Sequence, residues 1–243
     1  MKLGRKAIKR DSRTLKLSRY MLPALPSPPA SVNWTKGIAS WGMMLNDQLG
    51  CCTVAGVGHA VQVFTANAGA ETTVSDSTVL GYYEQWDGYI DGDPTTDNGG
   101  IELDVLNDWQ KNGFDGHELL AFADPSTGTL TEIKQAIALF GGLYIGCQVT
   151  NQALSTDNDN TVPWDTNGDS TIAGGHCVFV TGYDQNYVYF ISWGQVFKMT
   201  WNYWVSYVDE AHALLSPDFI AANGLDPAGF DLAALQADLA QIR

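Results

Sequence analysis

The chain has 243 residues, 45% of them hydrophobic, with 8 Trp and 9 Phe, enough for one large core or two lobes sharing a cleft. Its formal charge of −14 excludes a body that binds nucleic acid unaided, because it repels phosphates. Four cysteines, Cys51, Cys52, Cys147 and Cys177, do not suggest a disulfide scaffold, and no apolar run reaches the roughly 18 residues of a membrane helix.

The charge is uneven along the chain. Residues 1–19 hold eight Lys/Arg against one Asp, and the remaining residues carry a balance of −21. Such an arm can bind an acidic protein surface, a neighbouring subunit, nucleic acid, or the acidic body itself. Its charges are not separated by an apolar stretch, so no secretory signal is expected. Four prolines in "PALPSPP" mark an extended linker. Arm and linker fill residues 1–30, and the globular domain is expected to start near Ser31.

"CCTVAGVGHAVQVFTANAG" predicts a buried helix ending near Gly69, because apolar positions crowd every face. Residues 72–100 predict short helical pieces in polar loops. "IELDVLNDWQKNG" predicts an amphipathic helix stopped by Gly113. "TLTEIKQAIALFGG" predicts another, capped by Thr129 or Thr131 and stopped by Gly141. The period then changes: "LYIGCQVT", "HCVFVTGYD" and "YVYFISWG" predict strands, with a hairpin at Asp184–Gln185–Asn186. "MTWNYWVSYVDEAHALL" predicts a helix, and "DLAALQADLAQIR" a final one. Helices first and strands later, without βαβ alternation, predict an α+β protein of two lobes.

A cysteine at a helix N-terminus has a lowered pKa, since the unpaired N–H groups and the helix dipole favour the thiolate. Cys52 has that position, with Gly50 before it; the plain alternative is a buried packing residue. A nucleophile needs a base. His59 lies two turns along the same helix, about 10 Å away and out of reach. His117 falls in a polar loop and His212 in the late helix. His176 opens a strand, where it can be held facing a helix start from the other lobe. "DTNGDS" (Asp165, Asn167, Asp169) alternates oxygen ligands as calcium loops do. Ser170 and His176 stand where such a loop has Gly and Glu, so a solvated acidic loop is expected, with no metal and no cofactor.

Taken together, "PPASVNWT", "NDQLGCCTVAG", "DNGGIELDVLNDWQKNGF", "IKQAIALFGGLYIGCQV" and "GGHCVFVTGYDQNYVYFISWG" resemble, in order, segments of the papain-like cysteine peptidases. The resemblance implies an α+β papain-like two-lobe fold: a helical lobe at about 31–128, an antiparallel β-barrel-like lobe at about 129–215, and a cleft between them. A C-terminal helical extension would follow at 216–243. It implies Cys52 as nucleophile and His176 as general base, with Cys51 a packing neighbour. Gly99 and Gly100 would pair with an extended substrate, and Trp193 would cover the site. The family's oxyanion Gln is replaced by Asn46 at its spacing or by Gln48 after a two-residue deletion, with Asn46 preferred. The orienting Asn is replaced by Ser192, counting from His176, or by Ile191, aligning on "SWG". Thr53 stands for the usual aromatic residue after the nucleophile. Leu49 and Asp97 stand where extracellular members pair two cysteines, which agrees with a reducing compartment. The N-terminal segment is shorter than the usual inhibitory propeptide.

Two functions are therefore expected. One is a thiol hydrolase acting on peptide or isopeptide bonds, its acidic surface suiting basic or neutral substrates. The other is a papain-like scaffold in an assembly such as a phage virion, docked by its basic arm. The expected location is cytoplasmic or virion-borne, without membrane contact.

Overall fold

The computed structural model describes residues 1–21 and 27–219, together with the isolated positions 234 and 237. The prolines within 22–26 and most of the C-terminal helix expected from the sequence lie outside the described residues.

Helix α1, Cys52–Asn67, is the centre of the molecule. Every residue from Cys52 to Thr65 is buried, as its all-round apolar pattern requires. Helix α2, Asp76–Asp87, starts where the Ser75 side chain accepts the Thr78 N–H and stops at Gly88, which has positive φ. It is a regular twelve-residue helix rather than the short pieces expected over 72–100. Helix α3, Glu102–Asn112, stops at Gly113, and α4, Leu130–Phe140, stops at Gly141. Helices α1, α2 and α3 share one apolar core, built on residues such as Val61, Leu106 and Trp109, while α4 packs Ile133, Ile137 and Phe140 into the sheet-side core.

The strands are β1 Val32–Asn33, β2 Ala121–Ala123, β3 Leu143–Thr150, β4 Ile172–Tyr183, β5 Tyr187–Ser192, β6 Gln195–Thr200 and β7 Val208–Leu215. They form one antiparallel sheet in the order β2-β7-β3-β4-β5-β6, with β1 on β4. Helix α5, Asn151–Leu154, follows β3, and α6, Trp201–Tyr207, follows β6. The sheet is open among the described residues, so the second lobe is a layered sheet and not the barrel-like one expected. β2, from the stretch assigned to the helical lobe, closes one edge of this sheet.

Two further expectations are corrected. The helix predicted through 199–215 ends at Tyr207, and the rest is β7, so His212 lies on a strand. Strand β4 starts at Ile172, upstream of His176, so that histidine sits inside a paired strand opposite Cys147. Leu15, Leu17 and Tyr20 of the arm are buried in the sheet-side core. Lys16 bridges to Asp124, and the Leu17 N–H donates to the Asp124 carbonyl. Among the described residues no helix is long and apolar enough to cross a membrane.

Candidate active site

Cys52 is the first residue of α1, and its N-cap, Cys51, makes no side-chain cap. The Val54 and Ala55 N–H groups return to the Cys51 carbonyl, which leaves those of Cys52 and Thr53 at the helix start for other acceptors. Cys51 is turned into the core, where its thiol donates to the Met44 carbonyl at 3.3 Å, the packing role expected of it. The backbone amides of Cys177 and Gly4 lie near enough to the Cys52 sulfur to favour its thiolate. Cys177 follows His176 in β4, and β4 packs against α1, so the expected nucleophile and base lie on neighbouring elements; no hydrogen bond joins the Cys52 sulfur to either nitrogen of His176.

His176 is fixed on two sides. Its Nε2 shares a hydrogen bond of 2.7 Å with Ser192 Oγ, and the Trp193 indole stacks on it with centroids 4.6 Å apart and planes 20° apart. Its other nitrogen, Nδ1, is buried and has no hydrogen-bond partner. The partner at the orienting position is thus Ser192; Ile191 is a core residue paired with Phe179. Trp193 and Gly194 form the two-residue turn between Ser192 and Gln195, with φ of 47° and 71°. Positive φ at both positions is the type I′ hairpin turn, and it costs Trp193 a left-handed backbone.

The N-terminal arm fills the cleft. The Lys2 N–H donates to the Asn46 carbonyl at 3.0 Å, and the Gly4 carbonyl accepts the Gly100 N–H at 2.9 Å. The Lys6 N–H returns to the Gly100 carbonyl at 2.8 Å, and the Arg5 N–H donates to the Gly175 carbonyl at 3.1 Å on the facing wall. Arg5 and Gly100 therefore form a parallel bridge. A Cβ on Gly99 would collide with the Gly4 carbonyl, one on Gly100 with Thr53 and Asp87, and one on Gly175 with the Arg5 carbonyl. Gly100 pairs through both its N–H and its carbonyl with the chain's own arm, while the Gly99 N–H goes to the Tyr83 hydroxyl. Trp193 Nε1 adds a bond of 3.2 Å to the Lys2 carbonyl. Residues 2–6 suffice to bond to both walls of the cleft.

The covered site is electrically neutral. Burial pushes the Cys52 thiol up to about 12, against the two amides that favour the thiolate. Burial, then the nearby Arg5 cation, push His176 down to about 3. A thiol beside a neutral imidazole is the form these groups hold at pH 7.

Asn46 is buried, and its Nδ2 donates to the Leu49 carbonyl at 3.2 Å. Gln48 is exposed and makes no side-chain bond to Cys52 or His176. His59 is a core residue bonded to the Gly42 carbonyl at 3.0 Å. Asp165 and Asp169 spend their carboxylates on loop groups, including the Thr166 and Thr171 N–H. Their ligand atoms do not converge with a third, and the one group among the described residues spaced to hold a cation is Glu102, Glu210 and His212.

Three features of the site were not read from the sequence as part of it. Gly174 and Gly175 form the second wall, signalled only by a Gly-Gly pair before His176. Asp97 links the cleft: its Oδ1 accepts the Gly50 N–H at 2.9 Å and the Tyr83 hydroxyl at 2.7 Å, and Tyr83 in turn accepts the Gly99 N–H. Arg5, Glu102 and Glu210, from three distant stretches, meet beside the arm.

No protein-family model matches the sequence, and no curated protein matches it. Solved structures do. One is xylellain, a cysteine protease from Xylella fastidiosa, at 15% identity and TM-score 0.67, covering 87% of this chain and 95% of that one. The bromelain protease from Ananas comosus matches at 12% identity and TM-score 0.55, over 76% of this chain and 98% of its own. A digestive procathepsin L 3 of Tenebrio molitor matches at 14% identity and TM-score 0.52, over 83% and 76%. The chain has the papain-like fold that these cysteine proteases share.

Proposed function

We propose that the protein is a thiol hydrolase that cleaves peptide or isopeptide bonds through Cys52 and His176, held closed in this conformation by its own arm. The observation that carries the reading is the state of His176. Ser192 and Trp193 lock its ring, while Nδ1 is left buried and unpartnered beside the residue whose amide lies near the Cys52 sulfur. A core histidine without a task normally satisfies both nitrogens.

With Nε2–H donating to Ser192, the Nδ1 lone pair is free to take the Cys52 proton. The thiolate then adds to the carbonyl carbon of the bound amide, and the carbonyl electron pair moves to oxygen. The Cys52 N–H at the unpaired start of α1 and the second Nδ2 hydrogen of Asn46 are the donors for that oxyanion. The imidazolium gives its proton to the leaving nitrogen as the C–N bond breaks, and a thioester remains. His176 next deprotonates water, which attacks the thioester, and the thiol is restored. Loss of the arm would readmit water, which favours both charged forms, and remove the Arg5 charge, which releases the imidazolium while withdrawing one favourable interaction from the thiolate. An assembly role would call on the same arm, whose residues 2–6 are engaged by the chain's own cleft; the hydrolase reading makes use of that engagement.

Alkylation with iodoacetamide across pH 5 to 9, with mapping of the modified cysteine, tests this. Cys52 is expected to react slowly in the full chain and faster in Arg5→Ala, with the gain lost in Arg5→Ala/His176→Ala. A rate that follows an ordinary thiol of pKa about 8.5 in both backgrounds sinks the reading.

A further inference from the structure

The Arg5 side chain turns off the cleft into a pocket that thiol chemistry does not require. It is 1% exposed there, with Nη2 2.5 Å from Asp209 Oδ1, Nη1 3.3 Å from Glu210 Oε2 and Nε 3.8 Å from Glu102 Oε1. Gly146 of β3 forms the floor, where any Cβ would collide with the guanidinium. Glu102 has a side chain with 0% exposure, and neither carboxylate oxygen meets an N–H or O–H donor. On the far side His212 reaches Glu210 Oε1 at 3.2 Å, Glu102 Oε2 at 3.8 Å and Asp124 Oδ1 at 2.7 Å.

Four carboxyl groups thus surround Arg5 and His212, with Lys16 on the outer side of Asp124. When residues 2–6 leave, Arg5 leaves with them; Lys16 and His212 still hold Asp124, and Gln148 still donates to Asp209, but Glu102 and Glu210 keep only His212. A buried carboxylate that loses its cation either takes up a proton or accepts a replacement cation, and a cationic side chain entering the open cleft restores the lost pairing with Glu210 and Asp209. The geometry selects which one. Two carboxylates receive separate nitrogens of one planar fork, and the glycine floor lets a flat group lie against the strand; a lysine ammonium offers one point charge instead. The pocket is reachable, since a cleft of about 670 Å³ under residues 8–16 opens onto Asp209, Glu210 and His212. It is also adjacent to the chemistry, because the amide of Gly4, the neighbour of Arg5, is one of the groups near the Cys52 sulfur that favour its thiolate.

We infer that this pocket is a substrate subsite selective for an arginine side chain, and that Arg5 occupies it as an internal mimic. The inference rests on the hydrolase reading, which it deepens by naming the substrate class. Glu102 is raised to about 8 by burial and by Glu210, and Arg5 and His212 hold it down, as expected of a group that awaits a cation.

Two measurements test it. The full chain is first assayed with fluorogenic peptide amides in which Arg, citrulline, Lys or Leu is scanned through the positions before the scissile bond. At one position kcat/KM is expected to favour Arg over citrulline, its uncharged near-isostere, by at least about tenfold; Glu210→Gln should collapse that ratio. Turnover with no Arg preference at any position overturns the inference and leaves the hydrolase reading standing. The second measurement needs no turnover: the thermal midpoint of Arg5→Ala is titrated with methylguanidinium and, separately, with zinc chloride. A saturable rise with methylguanidinium, absent in Arg5→Ala/Glu210→Gln, supports the pocket. A rise with zinc alone overturns it in favour of a metal site at Glu102, Glu210 and His212. Stabilisation by methylguanidinium with no peptide cleaved overturns the substrate role together with the hydrolase reading. Should Arg5→Ala not fold, the peptide profile of the full chain decides.

Discussion

His176 and His212 lie on β4 and β7, the two strands that flank β3, and both are buried. Burial alone would push both towards the neutral form. His176 follows that course to about 3, with Arg5 adding to it. His212 runs against it: burial opposes its charge, but hydrogen bonds to Asp124 and Glu210 raise it to about 10. The same residue type in one sheet is thus a neutral base in one place and a fixed cation in the other. What separates them is the partner: a hydroxyl for His176, carboxylates for His212.

The largest expected effect comes from removing the neutral member. His176→Ala should lower peptide turnover by at least about 10⁴-fold while leaving the thermal midpoint near that of the parent. A stability loss comparable to that of a His212 variant would break the contrast. His212→Gln leaves Asp124, Glu210 and Glu102 facing Arg5 without the second cation. It should destabilise the fold by about 3 kcal/mol, the cost of breaking a buried ion pair, measured by denaturant unfolding.

The two histidines also predict opposite pH windows. The stability contributed by His212 is complete below its ordinary pKa of about 6.5 and is lost as pH rises through about 10. His176 acts on the other side: its lowered pKa makes the closed fold lose stability as pH falls from about 6.5 towards 3, and His59, lowered by burial to about 4, adds to that loss. Midpoints across pH should fall less on the acid side in His176→Asn and less on the alkaline side in His212→Gln. The smallest change is at the orienting hydroxyl. Ser192→Ala should cost about tenfold in kcat and little in KM, and Ser192→Asn should recover the loss. An unchanged kcat in Ser192→Ala would show that Trp193 stacking alone holds the ring.

Much of this was legible in the residues themselves. α1 and its first cysteine were marked by an all-apolar pattern after a glycine, and the Asp184–Asn186 turn by its residue types. The site pair Cys52 and His176 needed the resemblance as well, since helix starts and strand histidines are common. β7 was hidden because Glu210 and His212 place charges in a central strand. The Glu210 charge is met by Arg5, more than 200 residues earlier, and that of His212 by Glu210 and Asp124, which no local pattern reports. The destination of the arm was one of several open readings for the same reason. Asp97 shows a similar limit. Where a disulfide would tie the start of α1 to the Gly-Gly segment, a carboxylate joins Gly50 to Tyr83 and Tyr83 to Gly99, a link that sequence reads only as a missing cysteine.

The anchorage of Leu15, Leu17 and Tyr20 in the sheet-side core has a consequence for how the cleft can be opened. The blocking residues are tethered by a short segment to a point packed into the same molecule. Their effective concentration at the cleft is therefore on the order of millimolar or higher, whatever the amount of protein in solution. Dilution does not release such a ligand, and a free peptide of equal intrinsic affinity competes at a large disadvantage. A cut between the cleft residues and the anchor would turn an intramolecular ligand into a bimolecular one and let it diffuse away, without disturbing the packed segment that held it.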